Sequence, residues 1–340
     1  MRKPIDRLKS KYERKGICLG IGAGISIDSG LPLWNDLLRK VSREISNSEE
    51  VFEDFLKNGY SYEAFASYLK VMATKKKKDF SELLRNGLYD NFSFHNRKVN
   101  KRNRTEFKND IHCKNQSLKA VGSFCALKKK NSTRFIANDR VHGVINFNID
   151  VILQAYCYAK FEKRLLRTVE RASAGRMADK INVYHVHGML RFDGNRGRDR
   201  ESPDKIVLSE GEYYELFSNS NAFVNYTFLH LLREYSFLFL GLSMQDSNLR
   251  RLLHLSKMEI LRGYIEENLS EGQLKSKIIR SVNKHFAVMK RTGHRQTDEF
   301  HSVTLLNLGV RVIWIDQFEE IPEVLEYIYS FEDRQWADVF

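Results

Sequence analysis

The stretch ICLGIGAGISIDSGLPLW, residues 17–34, leads an apolar run directly into a cluster of glycines. The run predicts a short buried strand, and the glycines predict a tight turn at its carboxyl end. Three interpretations of this turn are open: a dinucleotide-binding loop, a secretory signal, or a plain bend. A secretory signal is disfavoured because glycines interrupt the brief apolar run and no clear cleavage site follows.

Composition limits the class of protein. The chain has 340 residues, enough for one α/β domain with an insertion, and its 42% hydrophobic content is too high for a disordered chain. A net charge of +13 is compatible with polyanionic partners such as nucleic acid. Much of the surplus lies in Lys75–Lys78 and in residues 97–140, and such runs are usually solvated surface. A dedicated nucleic-acid site is therefore disfavoured.

The cysteines and the hydropathy predict a cytoplasmic chain. Four widely spaced cysteines form no CxxC pair, which excludes a zinc ribbon and argues against a disulfide framework. No apolar stretch approaches the length of a membrane span. We therefore expect no membrane association.

Several short apolar runs predict strands buried on both faces, as in a parallel sheet. Helical patterns separate them, including residues 32–45, 150–163 and 247–264, and Ser209 and Glu212 have the spacing of a capping box. The alternation predicts a Rossmann-like, doubly wound, mostly parallel α/β sheet. The predicted strands are 16–21, 141–147, 181–186, 205–208, 235–242 and 309–315.

About 120 residues separate the first two predicted strands, too many for one crossover helix. We predict a single domain over 1–340 with a helical insertion at about 40–135. A mobile basic loop lies inside this insertion, at about 95–116, and a second mobile segment is expected at about 265–300.

The glycine turn differs from the Rossmann fingerprint. Gly20, Gly22 and Gly24 do not have the G-x-G-x-x-G spacing, because Ile25 takes the last position. The acidic ribose ligand expected about twenty residues later is also missing. An ordinary dehydrogenase is disfavoured, although such a turn still lets backbone amides approach a pyrophosphate.

Polar residues follow three further predicted strands. In open α/β sheets, ligands bind at the carboxyl ends of the strands, so these residues are expected to converge on one edge. Each also has a structural interpretation, as a helix cap or, like His142 and His185, as a hydrogen-bonded structural histidine. The residues are Asn148 and Asp150, His187 and Gly188, and Gly241, Ser243 and Asp246.

In this order, GAGISIDSGLPLW, FNID, HVHG and GLS resemble the motifs of the sirtuin superfamily, over about residues 16–316. The resemblance implies that Asn148 and Asp150 hold the nicotinamide ribose region of NAD⁺ and that His187 is the general base. It also implies a set of residues that bind the dinucleotide. These are Gly22, Ala23, Gly24 and Ser26 at the pyrophosphate, Gly241 and Ser243 on the adenosine side, and Pro32, Trp34 and Asp246.

The departures from the deacylases of that superfamily are informative. The two paired-cysteine zinc motifs are missing, so no metal is expected. Pro32-Leu33-Trp34-Asn35 replaces Pro-Asp-Phe-Arg, and Asn146-Phe147 replaces Thr-Gln, which leaves the roles of Asn35 and Asn146 open. LPLWNDLL, IVLSEGEYYELF and FLFLGLSMQDSNLRRLL instead resemble zinc-less bacterial sirtuin-like proteins of anti-phage systems, which hydrolyse NAD⁺ and arrest the infected cell.

The resemblance therefore implies an NAD⁺ glycohydrolase, with NAD⁺ as substrate, that depletes cellular NAD⁺ in abortive infection. The alternatives are a non-catalytic NAD or ADP-ribose sensor, a protein deacylase, and a nucleic-acid-binding protein. The retained Asn148 and His187 argue against the first, and the missing zinc ligands argue against the second. Family analogy also predicts a homo-oligomer and a separately encoded activating partner, for example a HerA-type ATPase.

Overall fold

Seven parallel strands form a single sheet in the order β5-β6-β4-β1-β7-β8-β9, which confirms the predicted fold class. The computed structural model describes residues 3–46, 50–128, 134–169, 177, 179–193, 206–218, 222–266 and 270–330. A separate antiparallel hairpin pairs β2 with β3. The strands are β1 Ile17–Ile21, β2 Ala126–Lys128, β3 Phe135–Ala137, β4 Val141–Asn146, β5 Leu166–Thr168, β6 Ile181–His185, β7 Ser236–Leu240, β8 His285–Lys290 and β9 Val310–Ile315.

Helices cover both faces of the sheet, and among those described none is long and apolar enough to cross a bilayer. A short π-helix, Ile278–Val282, precedes β8. The α-helices are α1 Pro4–Lys15, α2 Trp34–Ser46, α3 Glu50–Lys57, α4 Tyr62–Lys75, α5 Phe80–Tyr89, α6 Arg104–Lys114, α7 Gln116–Phe124, α8 Ile152–Phe161, α9 Glu210–Ser218, α10 Phe223–Glu234, α11 Ser247–Glu266, α12 Glu271–Lys277, α13 Arg295–Leu306 and α14 Ile321–Tyr329.

Successive side chains of the central strands enter two different cores. On β7, Leu238 and Leu240 join one buried cluster, whereas Phe237 and Phe239 join the other. This alternation explains why these strands are apolar without interruption, since both of their faces are buried. Helices α2 to α8 share the first cluster with the sheet, so the helices between β1 and β4 have no separate core.

The topology creates a crevice at the centre of the sheet. β1 pairs with β4 on one side and with β7 on the other. After β1 the chain builds the half of the sheet that contains β4, β5 and β6, and then crosses to build the half that begins with β7. The turns that follow β1 and β7 therefore meet at a topological switch point, where doubly wound sheets bind their ligands.

The two turns at this point contact each other through backbone atoms. The amide of Gly22 donates to the Leu240 carbonyl, and that of Gly24 donates to the Gly241 carbonyl, both at 3.0 Å. A Cβ on Gly24 would lie 2.8 Å from Gly241 Cα. Only glycines allow such a close approach, which brings the backbones of the two turns into direct contact.

Gly241→Ala is expected to lower the free energy of unfolding by about 3 kcal/mol. Gly241 has φ +64°, and an added Cβ would lie 2.7 Å from the Ile25 backbone nitrogen, which has no side-chain freedom to move away. Urea denaturation measures the loss. Gly263→Ala in α11 is the matched control, because its Cβ meets no atom within 4 Å and it should be neutral or slightly stabilising. Equal stability of the two variants would contradict the tight packing of the turns.

The prediction of a strand at 205–208 is wrong, because the described residues 206–208 do not form one. Lys205 lies outside the described residues. Ile206 and Leu208 are buried in the first core, but the segment pairs with no strand. Instead the amide of Val207 donates to the His187 carbonyl at 3.0 Å. An apolar run here marks a buried loop beside the sheet rather than a strand within it.

The two segments that were predicted to be mobile also contain regular secondary structure. Residues 104–114 of the predicted basic loop form α6, whose Phe107 and Ile111 are buried one helical turn apart while its charges face outward. The segment at about 265–300 contains α12, the start of α13 and β8. β8 was missed, although it is a sheet strand buried between β7 and β9. The 267–269 part of this segment lies outside the described residues.

Candidate functional site

A pocket opens beside the glycine turn at the carboxyl end of β1. Four segments line it: the glycine turn, the residues that lead into and begin α2, Leu88 of α5, and the turn after β4. The pocket is small, with a volume of about 20 Å³, and combines an apolar wall with a small number of polar groups. The predicted site residues among its lining are Ala23, Ser26, Pro32, Trp34, Asn148 and Asp150.

A directed chain of hydrogen bonds crosses this pocket. The Ser26 hydroxyl donates to Asp150 Oδ2 at 2.8 Å. Because that proton is used, Ser26 Oγ accepts from Asn148 Nδ2, at 3.3 Å. Asn148 is buried and accepts no hydrogen bond at its side-chain oxygen within the described part of the chain. Its amide oxygen is therefore available to a ligand.

Asp150 uses its two carboxylate oxygens differently. Oδ1 accepts from the Ile152 amide at 3.0 Å, so Asp150 satisfies the first amide of α8 from the position before the N-cap residue Val151. Oδ2 accepts from Ser26 in the pocket. Burial raises the pKa of Asp150, and the hydrogen bonds from Ile152, Ser26 and Asn148 oppose this rise only in part.

His187, which follows β6, is held by a carboxylate from the other half of the sheet. Its Nε2 lies 3.3 Å from Asp246 Oδ2. The Tyr213 hydroxyl donates to that same oxygen at 3.0 Å, and the Tyr213 ring lies 5.5 Å from the His187 ring. On its other side, the imidazole makes an edge contact with Trp34, which lines the pocket.

The two carboxylate oxygens of Asp246 also have different partners: one accepts from α11, and the other lies beside His187. Its Oδ1 accepts from the Leu249 amide at 2.6 Å at the start of α11, which is the predicted cap. Burial alone would raise the pKa of Asp246, but His187 and the hydrogen bonds from Leu249 and Tyr213 outweigh it and lower the pKa. The carboxylate is therefore a stable anion beside the imidazole.

Three histidines were interpreted from the sequence as possible structural residues: His142, His185 and His187. Their surroundings differ. His142 Nε2 contacts the Lys15 carbonyl at 2.6 Å, and the ring stacks on Tyr235. Both nitrogens of His185 have partners, the Asn148 carbonyl and Gln154. By contrast, Nδ1 of His187 is buried without a hydrogen-bond partner among the described residues. Of the three, His187 is the one with a buried ring nitrogen whose hydrogen-bonding capacity is unused among the described residues.

His185 makes the stability of the site depend on pH. Burial, and to a smaller extent Arg191, lowers the pKa of His185 to about 4, against a weaker opposing effect of the Asn148 carbonyl. Between pH 6.5 and about 4 the unfolded chain binds a proton that the folded chain refuses. We expect this group to remove about 3 kcal/mol of the free energy of unfolding across that window as the pH falls.

Urea denaturation of the native chain and of His185→Gln, at intervals from pH 7 to pH 4, measures this effect. The difference between the two pH profiles isolates His185 from the other buried histidines. Parallel profiles would show that His185 is not held neutral.

Not every predicted site residue lines the pocket. Gly241 packs against Gly24 at the switch point, whereas Ser243 is exposed and is not part of the pocket lining. Asp246 lies beside His187, and neither residue is part of the pocket lining. Asn146 Oδ1 accepts from the Asn148 amide at 2.9 Å, so Asn146 shapes the turn that presents Asn148.

Tyr213 was missed by sequence analysis. It lies in the first turn of α9, directly after the Ser209–Glu212 pair, where the Ser209 amide donates to Glu212 Oε2 at 2.7 Å. The only signal was a hydroxyl-bearing aromatic in a helix that starts near the predicted edge. Nothing local indicates that it reaches Asp246.

No group of three or more His, Cys, Asp or Glu side chains suited to a metal ion occurs among the described residues. Three of the four cysteines are buried free thiols, and Cys113 is an exposed one. The polar side chains that line the pocket are the Ser26 hydroxyl, the Asn148 amide and the Asp150 carboxylate.

A known protein-family model matches the part of the chain that contains most of this site. The model of the SIR2-like domain matches residues 142–313, about half of the chain, a range that contains Asn148, Asp150, His187 and Asp246. The glycine turn after β1 precedes the matched range. No curated protein matches the chain. The chain belongs to the SIR2-like domain family, whose members typically use NAD⁺.

Proposed function

We propose that the protein is an NAD⁺ glycohydrolase that cleaves the bond between nicotinamide and ribose. One observation carries the proposal: His187 has its Nε2 beside Asp246, its Nδ1 without a partner, and its ring against the wall of the pocket that Asn148 lines. A base held in one orientation is what delivery of a water molecule to a sugar carbon requires.

The reaction balances without a metal or a second cofactor. The glycosidic C–N bond breaks, its electron pair goes to the nicotinamide nitrogen, and neutral nicotinamide leaves. Water forms a new C–O bond at the ribose carbon and gives a proton to His187 Nδ1, which releases it to solvent. The products are nicotinamide, ADP-ribose and a proton.

Each site group has a defined task in this proposal. Asn148 orients the water or the ribose hydroxyls through its unpartnered oxygen. Ser26 and Asp150 fix the Asn148 amide. Asp246 holds the proton of His187 on Nε2, and so leaves the lone pair on Nδ1.

Asp246→Asn is expected to lower the kcat for nicotinamide release by about 10²-fold with little change in KM. Asparagine keeps the oxygen that caps α11 but presents an amide to Nε2, which moves the imidazole proton to Nδ1 and blocks the base. Steady-state kinetics measure the effect. Tyr213→Phe, which removes only the hydroxyl donated to Asp246, serves as the graded control and should cost less. A rise in KM with unchanged kcat would contradict a positioning role.

Binding and turnover measurements separate this proposal from its alternatives. The purified chain is titrated with NAD⁺ and assayed for nicotinamide release, with and without an acetylated peptide and with and without the product of the neighbouring gene. We expect release that needs no peptide. Binding without release under every condition would favour a sensor, and release that depends on the peptide would favour a deacylase.

We further propose that this activity lowers cellular NAD⁺ in anti-phage defence and is switched on by self-assembly or by a separately encoded partner such as a HerA-type ATPase. The support for this role is the resemblance of LPLWNDLL and FLFLGLSMQDSNLRRLL to sirtuin-like defence proteins.

A further inference from the structure

A second pocket lies at the opposite edge of the sheet, below the amino ends of β1, β7 and β8. It has a volume of about 570 Å³ and lies between the end of α1, the end of α10 and the last two turns of α11. We call it the basal pocket. Its charged lining residues are Lys11, Arg14, Lys15, Arg233, Glu234 and Lys284.

The basal pocket has a large excess of positive charge. Five cationic side chains line it, against the single carboxylate of Glu234. Lys15 Nζ lies 3.8 Å from Glu234, and Arg233 Nε lies 3.3 Å from Glu259. Arg14 and Lys284 add two further cationic groups that face the same cavity.

Lys284 reports the strength of this field. It is only 8% exposed and donates to the Arg233 carbonyl at the end of α10. Burial, together with repulsion from Lys11 and Lys15, lowers the pKa of Lys284 to about 8. Cations that destabilise each other in this way form a preorganised site for a multiply charged anion, which would relieve their repulsion.

We propose that the basal pocket binds a di- or triphosphate group, either as a free polyphosphate or as part of a nucleotide. Its volume lies in the range of small-molecule sites, and the Tyr264 and Ile260 side chains add an aromatic and an apolar wall to the cationic lining. Lysine and arginine side chains from separate elements surround a phosphate group as charge-assisted donors. Anion binding in the basal pocket does not require the proposed NAD⁺ hydrolysis.

The location gives such a ligand a direct structural connection to the candidate active site. The basal pocket touches Gly16 and Ser236, which begin or precede β1 and β7, and the same two strands end in the glycine turns at the switch point. A ligand below these strands would bind the folded chain and stabilise it against unfolding.

Isothermal titration of the full chain with inorganic triphosphate, at an ionic strength of about 0.15 M to screen diffuse attraction, tests the proposal. ATP and NAD⁺ form two further arms that separate free polyphosphate from nucleotide. The pocket variant is Lys11→Gln with Arg14→Gln. The matched control, Lys75→Gln with Lys77→Gln, removes the same charge from an exposed run elsewhere on the surface.

We expect saturable one-to-one binding of triphosphate or ATP that the pocket variant weakens by at least about tenfold and the control changes by less than about twofold. Lys284→Gln, with its folding checked by thermal melting, should weaken binding similarly. No saturable binding of triphosphate or ATP would overturn the proposal, as would an equal loss in pocket and control variants. Binding of a DNA duplex in preference to triphosphate, lost in the pocket variant, would replace it with a nucleic-acid surface.

Discussion

His187→Ala is expected to lower nicotinamide release from NAD⁺ by about 10³-fold, within the range that general-base catalysis contributes. The imidazole is 3% exposed, lies between Trp34, Phe147 and Tyr213, and has its Nε2 beside Asp246. Its unpartnered Nδ1 is the nitrogen available to accept the proton of water. NAD⁺ affinity should change little, because the proposed role of His187 begins only when water attacks.

The design separates loss of the base from loss of the fold. Circular dichroism and an NAD⁺ titration accompany the assay, and His187→Gln replaces alanine if the smaller side chain destabilises the buried site. His142→Ala is the matched control, since that histidine contacts Lys15 and Tyr235 away from the pocket. Release within tenfold of the native rate by a folded His187 variant would exclude it as the base.

Asn148→Ala is expected to lower nicotinamide release by at least about 10²-fold, because positioning of the reacting groups and the polar contacts to them are both lost. The change removes the donor to Ser26 and the unpartnered amide oxygen. Unlike His187→Ala, it should also weaken NAD⁺ binding, because we expect this oxygen to contact the bound substrate.

Asn182→Ala is the control for Asn148→Ala. Asn182 is also a buried asparagine, but it lies on β6 and contacts the Tyr184 hydroxyl rather than the pocket. Its replacement should leave nicotinamide release within a few fold of the native rate. If Asn148→Ala and Asn182→Ala have the same effect, Asn148 acts only through the stability of the sheet.

The strands of the sheet could be predicted wherever residues that are neighbours in sequence determine them. β1 and β7 are apolar on both faces and end in glycines, so their length and their turns follow from neighbouring residues. The segment 206–208 has the same local pattern, yet it is a buried loop, because only its distant neighbours decide whether it pairs. β8 was missed because its apolar residues lie within a polar segment, between Lys284 and Lys290.

The sequence was sufficient to predict that the site residues lie at one edge of the sheet. It was not sufficient to predict which of their side chains contact each other. Parallel strands bring their carboxyl ends together, so His187 and Asp246 could be expected on one edge from their positions after two strands. Their direct pairing, and the contact of Tyr213 with both, depend on how α9 packs after a long connection. Sequence spacing carries no information on such contacts, whereas the capping roles of Asp150 and Asp246 follow directly from the helix starts beside them.

Product analysis of NAD⁺ incubated with the purified chain, together with its neighbouring gene product, tests the central claim most directly. We predict that nicotinamide and ADP-ribose appear in equal amounts as NAD⁺ disappears, without any acetylated peptide, and that His187→Ala prevents this while NAD⁺ still binds. NAD⁺ that remains intact with the native chain, or nicotinamide release that the His187 variant retains, would contradict the account.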